Sequence, residues 1–393
     1  MLDEIIIKYI SKDTEKELNS INFDESYLPV AIKKFSNKKF KIFNLKPAEA
    51  NILKQLCLSL GFDCAVNRNV ITCKCEYSDC IINANEKQLI ELSKKLKLQP
   101  FRLKELSDKI QELFSDKKPL IIRDMHIKSD SKLIMGILNV TPDSFSDGGK
   151  FFSVDNALSR AKEMIIEGVD IIDIGGESTR PNAEIVDLQE EIKRVIPVIQ
   201  KIRDYSKDII ISIDTRNYET AKLAIEAGAD IVNDVSGLSD NNLLDFVATN
   251  NIPTIIMHSD KVPAQSSTET ENSKSDIVEE IYMSLYKKIQ ILKSKGMKQE
   301  NIIVDVGIGF GKSPDDSFEI LKRIDEFSSL NCLNLVGISR KSFISKTFNI
   351  SEEELEQATL ALDTVLLTRN VNVLRVHDTS RHVKMLKYVN KII

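Results

Sequence analysis

Eight short apolar runs recur along the chain from Lys132 onward, and they constrain the fold more than any other feature of the sequence. Each run is bounded by turn residues and followed by a stretch compatible with a helix. Apolar runs that are continuous rather than alternating indicate parallel strands buried on both faces. The runs cover residues 133–138, 171–174, 209–213, 230–232, 254–257, 302–304, 333–337 and 373–376.

Eight strand–helix units within about 260 residues predict an α/β fold of the (β/α)₈ TIM-barrel type. A doubly wound open sheet is the structural alternative, although such a sheet usually has fewer strands. We therefore assign residues 132–393 to a barrel domain.

The residues before the barrel follow a different pattern of short, mixed elements. Residues 39–43 alternate as a strand does, and residues 70–73 are a second β-prone run. A helix is predicted over 47–60, with proline in its first turn and Gly61 just past its end. An apolar stripe over 103–114 predicts a further helix.

These elements predict a small α+β N-terminal domain over residues 1–118. The polar run 115–119 ends the last helix, and we assign residues 119–131 to a linker. The role of this domain stays open, with docking and oligomerisation as the two options.

Composition and charge exclude several classes of protein. The net charge is −5 and the basic residues are scattered, so the sequence has no electrostatic footprint for nucleic acid. No apolar run reaches the roughly 18 residues that a membrane-spanning helix needs. The acidic N-terminus lacks the pattern of a secretory signal. We therefore predict a cytoplasmic protein without nucleic-acid or membrane partners.

Six cysteines are present, and five of them lie between Cys57 and Cys80. A reducing cytosol disfavours disulfides. No Cys-x-x-Cys pair occurs and the nearest histidine is His126, so the spacing is not that of a zinc site. Buried thiols that pack as small apolar groups are the favoured interpretation, with a metal or redox role as the alternative. His126 and His382 lie outside strand ends and are interpreted as structural.

Polar or ionisable groups follow every predicted barrel strand at the same end. A barrel enzyme places its chemistry at the carboxyl ends of its strands. A solvated rim explains some of these groups, but not carboxylates and amides directly after isoleucine-rich strands, where burial without a partner is costly. In chain order the groups include Asn139, Glu177, Asp214, Asn233, His258, Asp305, Ser339 and Arg375.

The polar groups separate by type. Asp214, Asn233 and Asp305 should converge deep in the mouth of the barrel, where carboxylates and an amide suit the edge of a flat heterocycle. Cationic groups follow strands two, seven and eight, and the loops after strands seven and eight are the usual phosphate site of this fold. The cationic residues are Arg180, Arg340, Lys341, Arg375 and, when protonated, His377.

We infer a heterocycle at the centre of the mouth and phosphate or another anion at its rim. Residues 339–342 favour this because they open a predicted helix whose free N–H groups attract an anion. Each group alone could equally form a surface salt bridge or a helix cap, but that alternative weakens for all of them together. The glycine-rich string 307–312 has neither P-loop nor dinucleotide spacing, and it is interpreted as allowing close approach of backbone to a ligand.

Several strings closely resemble the signatures of dihydropteroate synthases. Residues 135–149, Met-Gly-Ile-Leu-Asn-Val-Thr-Pro-Asp-Ser-Phe-Ser-Asp-Gly-Gly, resemble the first signature, and residues 175–181, Gly-Gly-Glu-Ser-Thr-Arg-Pro, resemble the second. The resemblance runs from about Lys132 to the C-terminus, and the first 118 residues look like the extension that some long members carry. Further family positions are matched in order at 213–215, 232–234, 339–342 and 375–378.

The resemblance implies condensation of 6-hydroxymethyl-7,8-dihydropterin diphosphate with 4-aminobenzoate, giving 7,8-dihydropteroate and diphosphate in folate biosynthesis. The implied chemistry is dissociative, with Mg²⁺ and a cationic rim stabilising the leaving group. A homodimer is the implied assembly. The implied catalytic residues are Asp143, Lys341, Arg375 and His377.

The same resemblance implies a role for each remaining site residue. Asn139 is expected to contact Mg²⁺. The pterin residues would be Asp214, Asn233, Asp305 and Lys341. The diphosphate residues would be Thr179, Arg180, Arg375 and His377. Phe145, Pro181 and Ser339 would line the aminobenzoate pocket, and Met257 and Val376 complete the substrate-binding set.

Three departures from the family pattern are visible. Val306 stands where a proline is expected, Asn182 stands where a glycine is expected, and the usual continuation after His258 is missing. Two other functions remain as alternatives. A pterin-dependent methyltransferase would share the barrel and the pterin pocket but has no need of a diphosphate site. A non-catalytic pterin-binding protein would bind pterin without releasing diphosphate.

Overall fold

The computed structural model describes residues 15, 18–19, 24–35, 37–115, 117–140, 150–177, 186–259 and 276–392, with residues 150–153 described by backbone alone. The chain divides into two compact units, Met1–Asp116 and Lys117–Ile393, here called unit 1 and unit 2.

Unit 1 is built on a three-stranded antiparallel sheet in which the last strand along the chain lies between the other two. The predicted strand at 39–43 lies within Asn37–Leu45, and the helix predicted at 47–60 is Pro47–Ser59. Gly61 follows that helix with a φ of 76°, a backbone conformation that glycine adopts without strain. The other strands are Cys64–Val66 and Ser78–Asn85, and the other helices are Leu28–Phe35, Glu86–Leu96 and Leu103–Glu112.

The strand expected at residues 70–73 is wrong. The N–H of Cys73 donates to the carbonyl of Val70 at 3.1 Å, and the N–H of Val70 donates to the carbonyl of Asn67 at 3.0 Å. These bonds fold the segment into successive turns, and Cys73 has a φ of 52°. The side chain of Asn67 also accepts from the N–H of Asn69 at 2.9 Å. The asparagine turn chemistry therefore overrides the β-propensity of the residues that follow it.

Three of the five cysteines of unit 1 lie in its core, whereas Cys73 is exposed and Cys75 is half-buried. Cys57, Cys64 and Cys80 are fully buried among leucine and isoleucine side chains. Burial raises the pKa of Cys332 in unit 2 to about 12, so its thiol stays protonated. Within the described ranges, no group of three or more histidine, cysteine or acidic residues could hold a metal ion.

Unit 2 is a closed barrel of eight parallel strands in chain order, which confirms the predicted fold. The eighth strand pairs with the first, with Val373 opposite Leu133, and this closure excludes the open sheet. Barrel strands one to eight are Leu133–Asn139, Ile171–Gly175, Ile210–Asp214, Ile231–Asp234, Thr254–Met257, Ile302–Asp305, Leu333–Val336 and Val373–Val376.

Helices cover the outside of the barrel and bury the outward side chains of its strands in one large apolar cluster. None of the helices in the described part of the chain combines the length and the apolar character needed to cross a lipid bilayer. The α-helices are Lys150–Glu167, Leu188–Tyr205, Tyr218–Ala227, Asn241–Thr249, Ile277–Ser294, Pro314–Lys322, Ser342–Phe348, Glu352–Leu367 and Thr379–Val389.

The inward side chains near the amino ends of the strands form a separate apolar cluster, which we call the lower layer. Residues from all eight strands of a closed barrel can meet only inside it. Fully burying one such isoleucine stabilises the fold by about 1.5–3 kcal/mol. The lower layer comprises Leu133, Met135, Ile171, Ile210, Ile231, Ile255, Ile303, Leu333, Leu335 and Val373.

The linker predicted at residues 119–131 is wrong for most of its length. Leu120–Ile122 and Met125–Ile127 pair as an antiparallel hairpin. Leu120, Ile122 and Ile127 are buried in the same cluster as the lower layer. The hairpin therefore closes the amino end of the barrel, and these apolar residues form part of its core.

Candidate active site

Most inward side chains become polar two residues beyond the lower layer. Successive side chains of a strand point to opposite faces, so residues two apart share a face. Asp173 thus lies above Ile171, and Asn233 lies above Ile231. We call this set the upper layer, and it consists of Asp173, Ser212, Asn233, Met257, Asp305 and Arg375.

Arg375 is the hub of the upper layer. Its Nε donates to Asp173 Oδ2 at 2.7 Å, and its Nη2 donates to Asp214 Oδ2 at 2.6 Å. The amide nitrogen of Asn233 donates to the same Asp173 oxygen at 3.1 Å. The side chains of Asp173 and Asp214 are 0% and 6% exposed, so both charges depend on Arg375 for compensation.

Burial and pairing set the charges of this hub. Burial raises the pKa of Asp214 to about 8, and the guanidinium of Arg375 opposes that rise. Burial lowers the pKa of Arg375, but Asp173 and Asp214 outweigh it and raise the pKa further, so the guanidinium stays charged. A ligand N–H that reaches Asp214 would replace water as its partner and favour the ionised carboxylate.

Lys341 follows strand seven and contacts the loop after strand six, near Asp305. Asp305 accepts from the N–H of Gly307 at 2.7 Å. The Lys341 ammonium donates to the carbonyl of Ile308 and lies 4.1 Å from the centre of the Phe310 ring. Burial lowers the pKa of Lys341 to about 7, although Asp305 opposes this. Lys341 therefore changes charge near neutral pH.

Two glycines make room for this loop. A Cβ on Gly307, whose φ is 66°, would lie 1.9 Å from the carbonyl oxygen of His258. A Cβ on Gly309, whose φ is 78°, would lie 3.0 Å from Cδ of Lys341. The string 307–312 therefore lies close to the backbone of His258 and to Lys341, and its close approach to a ligand stays a prediction.

Ser339 and His377 join the ends of strands seven and eight. Ser339 Oγ accepts from the backbone N–H of His377 at 3.2 Å and lies 3.0 Å from His377 Nδ1. If the hydroxyl donates to Nδ1, the proton of a neutral imidazole resides on Nε2, which is then the donor for a ligand. The pair therefore fixes the orientation of the histidine ring.

Asn139 ends the first strand beside Gly175 and Asp214. A Cβ on Gly175 would lie 3.6 Å from Asn139 Oδ1 and 3.8 Å from Asp214 Oδ2. Glycine thus keeps open the space between the amide and the carboxylate.

Two predicted site residues are buried in different ways. Met257 packs with Val235 and Phe310 in a small cluster, so it lies beside the ring that Lys341 contacts. Val376 points outward into the cluster between the barrel and its helices and is 1% exposed. Only the backbone of Val376 can therefore contact a ligand in the mouth, and its assignment as a binding side chain is corrected.

Arg340 does not join the cationic groups of the mouth, contrary to expectation. Its side chain is 54% exposed and its Nε lies 2.8 Å from Glu356. The residue has a φ of 59°, which reverses the chain just before Lys341. This positive φ directs the side chain of Arg340 toward Glu356 and away from the mouth.

The two loops that carry the first and second signatures lie largely outside the described residues. The predicted residues on them are Asp143, Phe145, Thr179, Arg180 and Pro181. Asn182 also lies outside the described residues. Val306 is described and is fully buried in the cluster between barrel and helices.

The sequence interpretation missed two site residues. Asp173 stands inside an apolar strand, and its signal was a carboxylate two residues after an inward isoleucine. Lys312 is 8% exposed and donates to the carbonyls of His258 and Phe310 at 3.2 and 3.1 Å. Its Nζ is also 3.1 Å from His258 Nδ1. Lys312 therefore ties the loop after strand six to the end of strand five.

A closed barrel whose buried charges gather at the carboxyl ends of its strands defines the class of (β/α)₈-barrel enzymes. The chain belongs to the pterin binding enzyme family, whose model matches residues 135–377, and within it to the dihydropteroate synthases. This family match covers every barrel strand except the first residues of strand one.

Two single-function relatives support this placement. The dihydropteroate synthase of Clostridium beijerinckii is 42% identical over 262 residues, which are 66% of this chain and 94% of that protein. The structure of dihydropteroate synthase from Clostridium difficile in the presence of pteroic acid is 41% identical with a TM-score of 0.62. That similarity covers 68% of this chain and 99% of the other.

A longer relative extends the similarity beyond the barrel. A probable bifunctional folylpolyglutamate synthase/dihydropteroate synthase of Haloferax volcanii is 38% identical over 349 residues, covering 85% of this chain and 41% of that protein. The present chain thus spans less than half the length of that relative. The match covers 85% of this chain, which is more residues than unit 2 contains, so it includes part of unit 1.

Proposed function

We propose that the chain is a dihydropteroate synthase, joining 6-hydroxymethyl-7,8-dihydropterin diphosphate to 4-aminobenzoate with release of diphosphate in folate biosynthesis. The observation that carries the proposal is the buried hub of Arg375, Asp173 and Asp214 with Asn233 beside it. Such a hub offers carboxylate, amide and cationic groups within one small, largely dehydrated mouth.

The pterin ring is assigned to the upper layer and Lys341. The carboxylates of Asp214 and Asp305 can accept ring N–H groups, and the amide of Asn233 can both donate and accept. Lys341 can donate to a ring oxygen or nitrogen, and the burial that lowers its pKa shows that its amine has already lost water before a ligand binds. These groups match the alternating donors and acceptors on the edge of a pterin.

The diphosphate is assigned to Arg375 and His377 at strand eight, with Thr179 and Arg180 from the second loop. In the reaction, the bond between the exocyclic methylene carbon and the diphosphate oxygen breaks, and diphosphate leaves with the electron pair. The amino nitrogen of 4-aminobenzoate then bonds to the methylene carbon and loses a proton. Asp143 is assigned to stabilise the positive charge that the pterin methylene carries meanwhile.

The aminobenzoate is assigned to Phe145, Pro181 and Ser339. Met257 and Phe310 extend this assignment, since both contribute apolar surface near Lys341.

A magnesium ion fits the donor set at strand one. Mg²⁺ prefers oxygen ligands, keeps several waters, and is usually held by one or two protein groups together with substrate phosphates. The Asn139 amide oxygen would supply such a group, with the diphosphate oxygens completing the site. When bound, the ion neutralises charge on the departing diphosphate.

Diphosphate release by the purified full-length chain tests the proposal. With Mg²⁺, we expect release to depend on 4-aminobenzoate and to be lost in Lys341→Ala and Arg375→Ala. We expect Asn139→Ala to need more Mg²⁺ for the same rate, and a chelator to abolish turnover. Tight pterin binding without diphosphate release would instead favour the non-catalytic alternative, and methyl transfer from a methylated pterin would favour the methyltransferase.

The assembly, location and N-terminal unit remain predictions. We expect a homodimer, measurable by light scattering of the purified chain, and a cytoplasmic location. Because the Haloferax volcanii match extends into unit 1, we propose that unit 1 accompanies the synthase barrel as a docking or oligomerisation module.

A further inference from the structure

A buried aspartate and a buried histidine contact each other between the last two helices of unit 2. Asp363 lies on helix Glu352–Leu367 and His382 lies on helix Thr379–Val389. His382 Nε2 is 3.0 Å from Asp363 Oδ2, and both side chains are 1% exposed. Asp363 Oδ1 has no hydrogen-bond partner among the described residues. The sequence interpretation treated His382 as structural.

The other nitrogen of the ring reaches the end of strand eight. His382 Nδ1 lies 2.6 Å from the carbonyl oxygen of Asp378. A carbonyl only accepts, so Nδ1 carries a proton. The side chain of Asp378 is also engaged, because it accepts from the N–H of Arg381 at 3.0 Å and caps the last helix. Asp378 is therefore held by both its carbonyl and its carboxylate.

The residue held in this way directly follows His377. The N–H of His377 donates to Ser339, and its ring contacts the same hydroxyl. A shift of the Asp378 backbone would therefore move His377 away from Ser339. Asp363, His382 and Asp378 thus form a chain of contacts that ends at a residue assigned to the diphosphate.

Packing alone does not account for this pair. Replacing a buried ion pair by apolar residues of similar size is often neutral or stabilising, so such a pair is weak support for stability. Burial lowers the pKa of His382, but Asp363 and the Asp378 carbonyl outweigh it and raise the pKa. The raised pKa favours the charged ring, and Nδ1 keeps its bond to the carbonyl of Asp378.

We propose that Asp363 and His382 are positioning residues that fix His377 for the diphosphate by holding the backbone of Asp378. The inference rests on the proposed function, because that function assigns His377 to the diphosphate. It goes further in predicting that the pair acts on the diphosphate half of the substrate and leaves the pterin half unaffected.

The test compares two ligands in the full-length chain, the pterin diphosphate and 6-hydroxymethylpterin without diphosphate. In His382→Leu and Asp363→Asn we expect the diphosphate-bearing ligand to bind roughly tenfold more weakly, the loss expected for one misplaced charge-assisted contact. Binding of the pterin alone and the KM for 4-aminobenzoate should stay within about twofold. The matched control is Val383→Ala on the same helix, a buried residue whose apolar side chain cannot hydrogen-bond to Asp378, which should lower the Tm and change neither affinity.

Equal weakening of both ligands, or no weakening of either, would overturn the positioning role. Asp363→Asn preserves the shape of the side chain, so it provides the measurement if His382→Leu does not fold. Turnover by the wild-type chain is measured separately and tests the proposed function. If turnover is absent, the comparison of the two ligands still decides whether the pair acts selectively on diphosphate.

Discussion

The lower and upper layers of the barrel interior belong to the same strands and the same inward face, but the lower layer is wholly apolar and the upper layer is mostly polar. The lower layer consists of aliphatic and methionine side chains closed off by the hairpin of Leu120–Ile127. The upper layer contains two acids, an amide, a hydroxyl, a methionine and an arginine. Two residues along a strand, about 6.6 Å, separate them.

This difference shows how the barrel divides stability from function. The lower layer buries apolar surface without any polar atom that needs a partner. The upper layer buries charges that are costly without partners. Arg375 and Asn233 donate to Oδ2 of Asp173, and the N–H of Gly307 donates to Asp305. The geometry of the upper layer is therefore fixed by charge pairing, so single changes there should alter the binding site, whereas single changes in the lower layer should alter stability alone.

The largest effect is expected for Arg375→Ala. The change leaves Asp173 and Asp214 buried without their cation, which should cost about 3–5 kcal/mol of unfolding free energy and roughly 100- to 1000-fold in turnover. Asp214 stays protonated in the folded wild type up to its pKa of about 8, and loss of the cation raises that pKa further, so the destabilisation should be constant below about pH 8 and grow above it. Urea unfolding across this pH range checks it, and a pH-independent loss would contradict the hub.

A somewhat smaller effect is expected for Gly307→Ala. Its Cβ would collide with the carbonyl oxygen of His258, and strain and overpacking should together cost about 2–4 kcal/mol. The matched control is Gly296→Ala, because Gly296 also has a positive φ but has no atom within 4 Å of the added Cβ. The control should lose only about 1 kcal/mol. Thermal unfolding of both variants decides, and equal losses would remove the steric argument.

Lys341→Met should change stability in a pH-dependent way. The folded-state pKa of Lys341 is about 7, against 10.5 for the ordinary side chain. The unfolded state therefore binds more protons between these values, and wild-type stability should rise with pH across that window. The variant lacks this dependence, so it should be the more stable protein by about 1–2 kcal/mol below pH 7. The difference should shrink toward pH 10.5, and a constant difference in urea unfolding would argue against a buried lysine charge.

The smallest effect is expected for Arg340→Ala. Its exposed pair with Glu356 should contribute no more than about 1 kcal/mol. Turnover should change by less than about twofold, because the side chain does not join the upper layer. Steady-state kinetics and thermal unfolding check both statements. A loss comparable to that of Arg375→Ala would restore Arg340 to the cationic rim.

The barrel could be predicted because its strands leave a strong signal. A strand buried on both faces needs a continuous apolar run, and eight such runs recur from Lys132 onward. The hairpin at the amino end escaped because its strands have three residues each, too few for a periodic pattern. The error at residues 70–73 has a different cause, since Asn67 and Asn69 formed turns where side-chain propensity alone favoured a strand.

The site could be predicted only as far as strand ends reveal it. Asp214, Asn233 and Asp305 follow apolar runs and were visible in the sequence. Asp173 was missed because its role depends on which face of the strand its side chain occupies. The alternation of side chains along the strand places it inward, above Ile171. The same alternation places the side chain of Val376 outward. The direction of Arg340 follows from one positive φ, which residue type does not encode for an arginine.

Pterin binding to two variants on one strand tests the division between layers most directly. Ile231 and Asn233 lie two residues apart on strand four and share the inward face. We predict that Asn233→Ala weakens binding of 6-hydroxymethylpterin by roughly tenfold or more and leaves a stable fold. Ile231→Ala should cost about 2–5 kcal/mol of stability and leave the affinity of the folded protein unchanged. Unchanged pterin affinity in Asn233→Ala, or an affinity loss in Ile231→Ala as large as that in Asn233→Ala, would contradict the account.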